Sequence, residues 1–213
     1  MKKLVAILGV LVVLGLLVLI LIGAAGLSYN HLVKLSQAVD SQWAQVQNVY
    51  QRRADLIPNL VATVSGAANF EKSTLTEITA ARASVGQVKL DPNTAPSDPA
   101  KLAAFEQAQG QLSSALSRLL VVVERYPDLK ATENFRDLQA QLEGTENRIS
   151  VERRDFNTAV QNYNTAIKSF PEVLYAGAFG FSAKPYFAAT AGAETPPKVS
   201  FDFNKKAPTA TNP

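Results

Sequence analysis

The sequence predicts an all-α protein, an N-terminal transmembrane helix followed by an antiparallel up-and-down four-helix bundle. Three observations carry this expectation. Residues 4–27 hold 20 apolar residues and four glycines, without a charge or a hydrogen-bonding side chain. Beyond them, apolar residues recur at alternating three- and four-residue spacing, the period of a helix seam. The connections between these amphipathic stretches are short, which makes neighbouring helices antiparallel.

The anchor comes first. A helix over residues 4–27 rises about 36 Å and crosses a hydrocarbon core of about 30 Å with some tilt. A signal peptide has an apolar region of about 7–15 residues, so the longer run here reads as an uncleaved span. Lys2 and Lys3 precede it, and Lys34 and Asp40 are the first formal charges beyond it. The positive-inside rule then places the N-terminus in the cytoplasm and the main domain outside a bacterial cell membrane. Glycines 9, 15, 23 and 26 form no GxxxG pattern, so dimerisation of the span is not inferred.

Removing the span changes the bulk properties. The chain is 47% hydrophobic with a formal charge of +3; the remainder is about 42% hydrophobic, an ordinary soluble level. After Lys3 there are 19 basic and 18 acidic residues, which gives no support for a nucleic-acid-binding face. The absence of cysteine excludes disulfides, thiolate metal sites, cysteine catalysis and a lipoprotein acyl anchor.

The first bundle helix is expected to begin near Tyr29. Val39, Trp43, Val46, Tyr50, Ile57, Leu60 and Val64 keep one heptad register, with Arg53 at the seam position between Tyr50 and Ile57. Pro58 is expected to kink this helix without ending it. The register fails at Gly66–Glu71 and restarts out of phase with Leu75, Ile78 and Val85. A reversal there makes four helices; without it there are three long ones.

Residues 91–100 carry three prolines and two aspartates and form a loop. Asp98 caps the next helix, with Pro99 at its first position. Its seam is Phe105, Gln109, Leu112, Leu116, Leu119, Val123 and Tyr126, and Pro127 ends it. The last long helix is expected from near Lys130 to Phe170-Pro171. Phe135, Leu138, Leu142, Thr145, Ile149, Glu152, Phe156, Val160, Tyr163 and Ile167 form its seam. The organisation is therefore an anchor over 1–28, a helical bundle over 29–171, and a C-terminal tail over 172–213, aromatic and Gly-rich and then Pro-rich.

Several stretches carry a family resemblance. They include Tyr29-Asn-His-Leu-Val, Gln51-Arg-Arg-Ala-Asp-Leu-Ile-Pro-Asn-Leu-Val, Tyr126-Pro-Asp-Leu-Lys-Ala and Leu142-Glu-Gly-Thr-Glu-Asn-Arg-Ile. Phe156-Asn-Thr-Ala-Val, Tyr163-Asn-Thr-Ala-Ile, Phe170-Pro, Lys184-Pro-Tyr-Phe and Pro196-Pro-Lys-Val follow in order. The chain resembles the LemA family of bacterial membrane proteins from the anchor to about Phe203, and is similar to the helical domain of some magnetosome membrane proteins. The resemblance implies a membrane anchor, an antiparallel four-helix bundle and a reversal near Gly66. It brings no established enzymatic activity.

The residues available for chemistry are few. His31 is the only histidine, which removes Ser-His-Asp triads, HExxH zinc sites and the Glu-x-x-His pairs of di-iron bundles. No P-loop and no strand-borne GxGxxG occurs, so neither an enzyme nor a cofactor is expected. The sharpest polar feature is Arg53, expected to meet Glu152 across the seam, since a buried charge demands a partner and such pairs fix register. Arg52, Asp55, Asn59, Glu146, Arg148, Arg153 and Arg154 surround this pair as an ionic belt or a docking surface. Tyr175, Phe179, Phe181, Tyr186 and Phe187 form a second candidate, placed at headgroup depth if the last helix descends to the membrane. The reading is a non-enzymatic, membrane-anchored scaffold or adaptor of the bacterial envelope. Its partners are the lipid around the anchor and an unidentified protein, another membrane protein among the candidates. The alternative is a lipid-contacting or membrane-remodelling factor acting through homo-oligomers.

Overall fold

The computed structural model describes residues 2–67 and 70–188; the stretch from 189 onward, with its Pro196-Pro-Lys-Val motif, lies outside the described residues. The anchor and the first seam helix are one element: α1 runs unbroken from Lys2 to Ser65, whereas the sequence suggests a new start near Tyr29. Gly23 and Gly26 do not interrupt it, since a glycine within a helix costs only about 1 kcal/mol relative to alanine. The N-terminal part has a window of mean hydropathy 3.2 with none of it buried against protein, so the helix is long and apolar enough to cross a membrane.

Pro58 sits inside α1, and the helix continues past it. A proline has no N–H for the carbonyl four residues back, here that of Ala54. Arg82 takes up this carbonyl, its Nε donating to Ala54 O at 3.2 Å. The imino acid thus creates an acceptor on the face of α1 toward which α2 (Lys72–Gln87) returns. The reversal is held by Phe70, which is buried against the ring of Tyr126 at 5.0 Å.

Asp98 caps α3 (Pro99–Val123), accepting from the Ala100 N–H at 2.8 Å with Pro99 in the first turn. A short α4 (Pro127–Ala131) follows, and α5 (Glu133–Lys168) starts behind the Thr132 cap, three residues later than the seam pattern suggests. Ion pairs set the directions. Arg118 meets Glu77 at 2.6 Å and Arg125 meets Glu71 at 3.1 Å, so α2 and α3 are antiparallel. Gln42 donates to Glu152 at 2.7 Å and Arg53 to Glu146 at 2.6 Å, so α1 and α5 are antiparallel too. Tyr50 packs on Phe105 at 5.0 Å and Arg53 bonds Gln109 four residues on, so α3 runs with α1.

The core has two parts. A distal cluster gathers Ile57, Leu60, Val64, Ile78, Leu112, Leu119 and Phe135. A proximal cluster, nearer the anchor, gathers Val39, Trp43, Val46, Phe105, Phe156, Val160 and Phe187. At 16 residues α2 reaches only the distal part. Four helices of full length are therefore not what fills the domain: in the proximal part the fourth place goes to loop 88–98 and to residues 182–188. Trp43 Nε1 donates to the Asp91 carbonyl at 2.8 Å, and Asp40 accepts from the Ala95 N–H at 3.0 Å and from Lys184 at 2.7 Å.

Two asparagines one heptad apart on α5 clamp the returning segment. Asn164 donates to the Lys184 carbonyl at 2.8 Å and accepts from its N–H at 2.9 Å. Asn157 does the same to Phe187 at 3.1 and 2.9 Å. Each amide mimics a neighbouring strand, and this is the work of the repeated Asn-Thr-Ala in the two matching stretches. The boundary expected at residue 172 therefore does not detach a tail; residues up to 187 complete the domain.

A double-mutant cycle tests the use made of Pro58. Arg82→Met should cost about 1 kcal/mol, the net worth of one hydrogen bond. In Pro58→Ala, where the new N–H satisfies Ala54, the same change should cost close to nothing. Urea unfolding of the four proteins measures the coupling, and equal costs in both backgrounds contradict it.

Candidate functional site

The layer between the two clusters is polar. Arg53 occupies a seam position of α1 between Tyr50 and Leu56 and is 1% exposed. Its Nη1 donates to Ser113 Oγ at 2.7 Å and to Glu146 Oε1 at 2.6 Å. Its Nη2 donates to the side-chain and backbone oxygens of Gln109. Nε has no hydrogen-bond partner among the described residues, and the guanidinium carbon lies 5.2 Å from the centre of the Tyr50 ring. One side chain thus ties α1 to both α3 and α5.

Glu152, the expected partner, is instead the acceptor of Gln42. The reason is register. Trp43 packs on Phe156 and Arg53 on Glu146, which puts Glu152 six residues, about 9 Å, below Arg53 along α5. The seam pattern alone fixes which face a residue occupies and leaves height uncertain by that amount.

A groove runs between α3 and α5 beside this layer. Two adjoining cavities of about 620 and 440 Å³ share Ser113 and Glu146. The proximal one is lined by Arg53, Gln109, Glu106 and Arg153, the distal one by Leu60, Leu116, Leu120 and Leu142. Arg153 pairs with Glu106 at 2.7 Å, donates to the Ala188 carbonyl at 2.9 Å and lies over the Phe187 ring at 4.7 Å. Burial pushes the Glu106 carboxyl above its usual range, against the opposing pull of Arg153 and the Ala188 N–H. Burial likewise raises the Tyr50 phenol, although Arg153 and Arg53 stand near it. Every cation in the layer therefore has a carboxylate or carbonyl to itself. These bonds join α1, α3 and α5 at one level.

The belt divides accordingly. Arg53, Glu146 and Arg153 converge on α3. Arg52, Asp55, Asn59, Arg148 and Arg154 remain exposed on α1 and α5. The register of Arg53 on Glu146 sets Arg52 level with Arg148. Asp55 accepts from Gln51 at 2.7 Å, and among the described residues Arg154 pairs with its neighbour Asp155, at 3.4 Å.

The aromatic candidate divides too. Tyr175, Phe179 and Phe181 stay at the foot of the domain, where the Phe179 ring lies 5.2 Å and the Phe181 ring 5.7 Å from Tyr29. Tyr186 and Phe187 do not. The asparagine clamps carry them up α5 to the level of Trp43, 16 residues or about 24 Å beyond Leu27, and Phe187 is buried between Trp43 and Phe156. The signal for this was present in the sequence as two Asn-Thr-Ala repeats at a spacing of seven.

Among the described residues one helix is apolar and long enough to cross a bilayer, and it runs on without a break into a helical domain, as in a membrane-associated helical protein. Residues 42–201 match the LemA family; the chain belongs to that family. Its relatives include magnetosome protein MamQ 2 of Paramagnetospirillum magneticum, 34% identical over 89 residues, which cover 42% of this chain and 33% of that protein. MamQ of Magnetospirillum gryphiswaldense is 33% identical over the same length and coverage. Protein LemA of Metamycoplasma hominis is 24% identical over 141 residues, 66% of this chain and 60% of the relative. The chain thus spans a third of the length of the magnetosome relatives it matches.

The Arg53 network makes a direct expectation. Glu146→Ala removes the counter-charge of a buried guanidinium, but the Glu146 side chain is 43% exposed and solvent shares the loss, so it should cost about 2–3 kcal/mol. Glu152→Ala removes one hydrogen bond and should cost about 1 kcal/mol. Chemical unfolding of the detergent-solubilised protein measures both, and a larger loss for Glu152→Ala would restore the pairing suggested by the seam alone.

Proposed function

We propose that this protein is a non-enzymatic, membrane-anchored scaffold that holds a docking surface at a set height above the bilayer. The observation that supports it is the continuity of α1 from Lys2 to Ser65. A helix without a break between span and domain transmits position and orientation, where a flexible linker would transmit only proximity. Arg52 and Asp55 lie 25 and 28 residues beyond Leu27, so the exposed belt stands roughly 40 Å from the end of the span and the distal tip about 57 Å.

The docking surface is the exposed charged face of Arg52, Asp55, Asn59 and Arg148, on the outside of the α1–α5 pair; Arg154, about 120° round α5 from Arg148, borders it. Charged groups on rigid helices give partner choice through complementary charge, and the anchor raises the local concentration of any membrane-bound partner. Membership of the LemA family and the similarity to proteins named for the magnetosome agree with work at a membrane. The two lysines before the span favour an extracytoplasmic domain at the bacterial cell membrane.

Photocrosslinking tests this in intact cells. A photoreactive residue replacing Arg52, Asp55 or Arg148 should yield one adduct of defined mass with a different protein, and the same residue at Val121, far from the belt, should not. A ladder of multiples of the protein's own mass would instead identify a self-associating membrane-remodelling factor.

A further inference from the structure

The turn that follows α5 exposes large apolar side chains to solvent. Phe170 is 80% exposed, Leu174 63%, Val173 50% and Phe179 42%. Ala176 in the same turn is buried, and Phe181 packs against the proximal cluster. The Phe181 N–H donates to the Ala176 carbonyl at 2.9 Å across Gly180, whose φ of +78° suits glycine. The turn is thus pinned from inside, and its outward side chains are held in place.

Their height is known from α1. The Phe179 ring sits edge-on to Tyr29, and Glu172 meets His31 at 3.1 Å. Tyr29 is two residues, about 3 Å, past Leu27, the last apolar residue of the span. Lys34 and Lys168 are exposed at this same end of the domain. An apolar patch at that level, with cations around it, has the composition of an interfacial membrane contact.

We propose that this turn is a second membrane contact, in which Phe170, Val173, Leu174 and Phe179 insert at the boundary between headgroups and acyl chains beside α1. The occupant is the lipid surface because the patch is continuous with the span and level with its end. A single helix leaves the domain free to tilt together with its span; a second contact with the lipid surface restrains that tilt and fixes which face of the domain turns toward the bilayer. The inference rests on the reading of residues 4–27 as a membrane span.

The chain has no cysteine, so single-cysteine variants of the full-length protein accept a spin label without further change. Leu174→Cys, Phe179→Cys, Leu17→Cys and Val121→Cys are labelled, reconstituted into vesicles of phosphatidylglycerol and phosphatidylethanolamine, and compared for accessibility to oxygen and to a water-soluble nickel chelate. The inference expects nickel accessibility at 174 and 179 to be several-fold lower than at 121, with oxygen accessibility raised toward that at 17. Nickel accessibility at 174 and 179 equal to that at 121, while 17 is protected, overturns the second contact and leaves the anchor standing. Free nickel access at 17 overturns both.

Discussion

A guanidinium that is 1% exposed has to find its hydrogen bonds inside the protein. Arg53 finds them on two other helices, and the rest of the domain is arranged around that fact. Ser113 and Gln109 bring α3 to a set height on α1, and Glu146 does the same for α5. The apolar core is split into a distal and a proximal cluster by this layer. Because the pairing fixes α5 against α1, it also fixes where α5 ends, and so brings the following turn to the level of Tyr29 and His31.

The proximal cluster shows how a short helix is compensated. With α2 confined to the distal part, Trp43 and Phe156 would face solvent on one side. The chain covers them with Phe187, delivered by a backbone that Asn157 and Asn164 grip in two places each. Loop 88–98 closes the remaining side, fastened by Asp40 and Trp43. Asp40 and Lys184 then tie α1 to the returning segment. Both halves thus have an apolar cluster; the proximal one is closed by segments clamped through their backbone, the distal one by the short helix α2.

Much of this was legible in the residues. Every seam residue named on α1 from Val39 to Val64 is buried, Arg53 included, because the heptad period reports a face directly. The Asp98-Pro99 start of α3 and the restart beyond Gly66 were legible for the same reason, as local signals with local causes. Heights were not: Glu152 and Glu146 both point toward α1, and only the packing of Trp43 on Phe156 decides between them. The place of Phe187 depends on tertiary bonds from Asn157 and Asn164; their repeated Asn-Thr-Ala marks them as a pair, but which backbone they grip is set only by the fold. The use made of Pro58 requires Arg82, which a reversal brings back from 24 residues away. In the candidate site, the exposed residues Arg52, Asp55 and Arg148 could be named, but only the register shows that Arg52 and Arg148 stand level.

The register set by Arg53 is the claim on which the heights of belt and foot depend, and a pair of distances tests it. Pulsed dipolar spectroscopy between labels at positions 52 and 148, and separately at 52 and 155, compares two sites on one face of α5 that differ in height by about 10 Å. With Arg53 opposite Glu146, the distance to 148 is the shorter and narrowly distributed, and it broadens when Arg53 is replaced by alanine. A shorter distance to 155 would place Arg53 opposite Glu152 and contradict it.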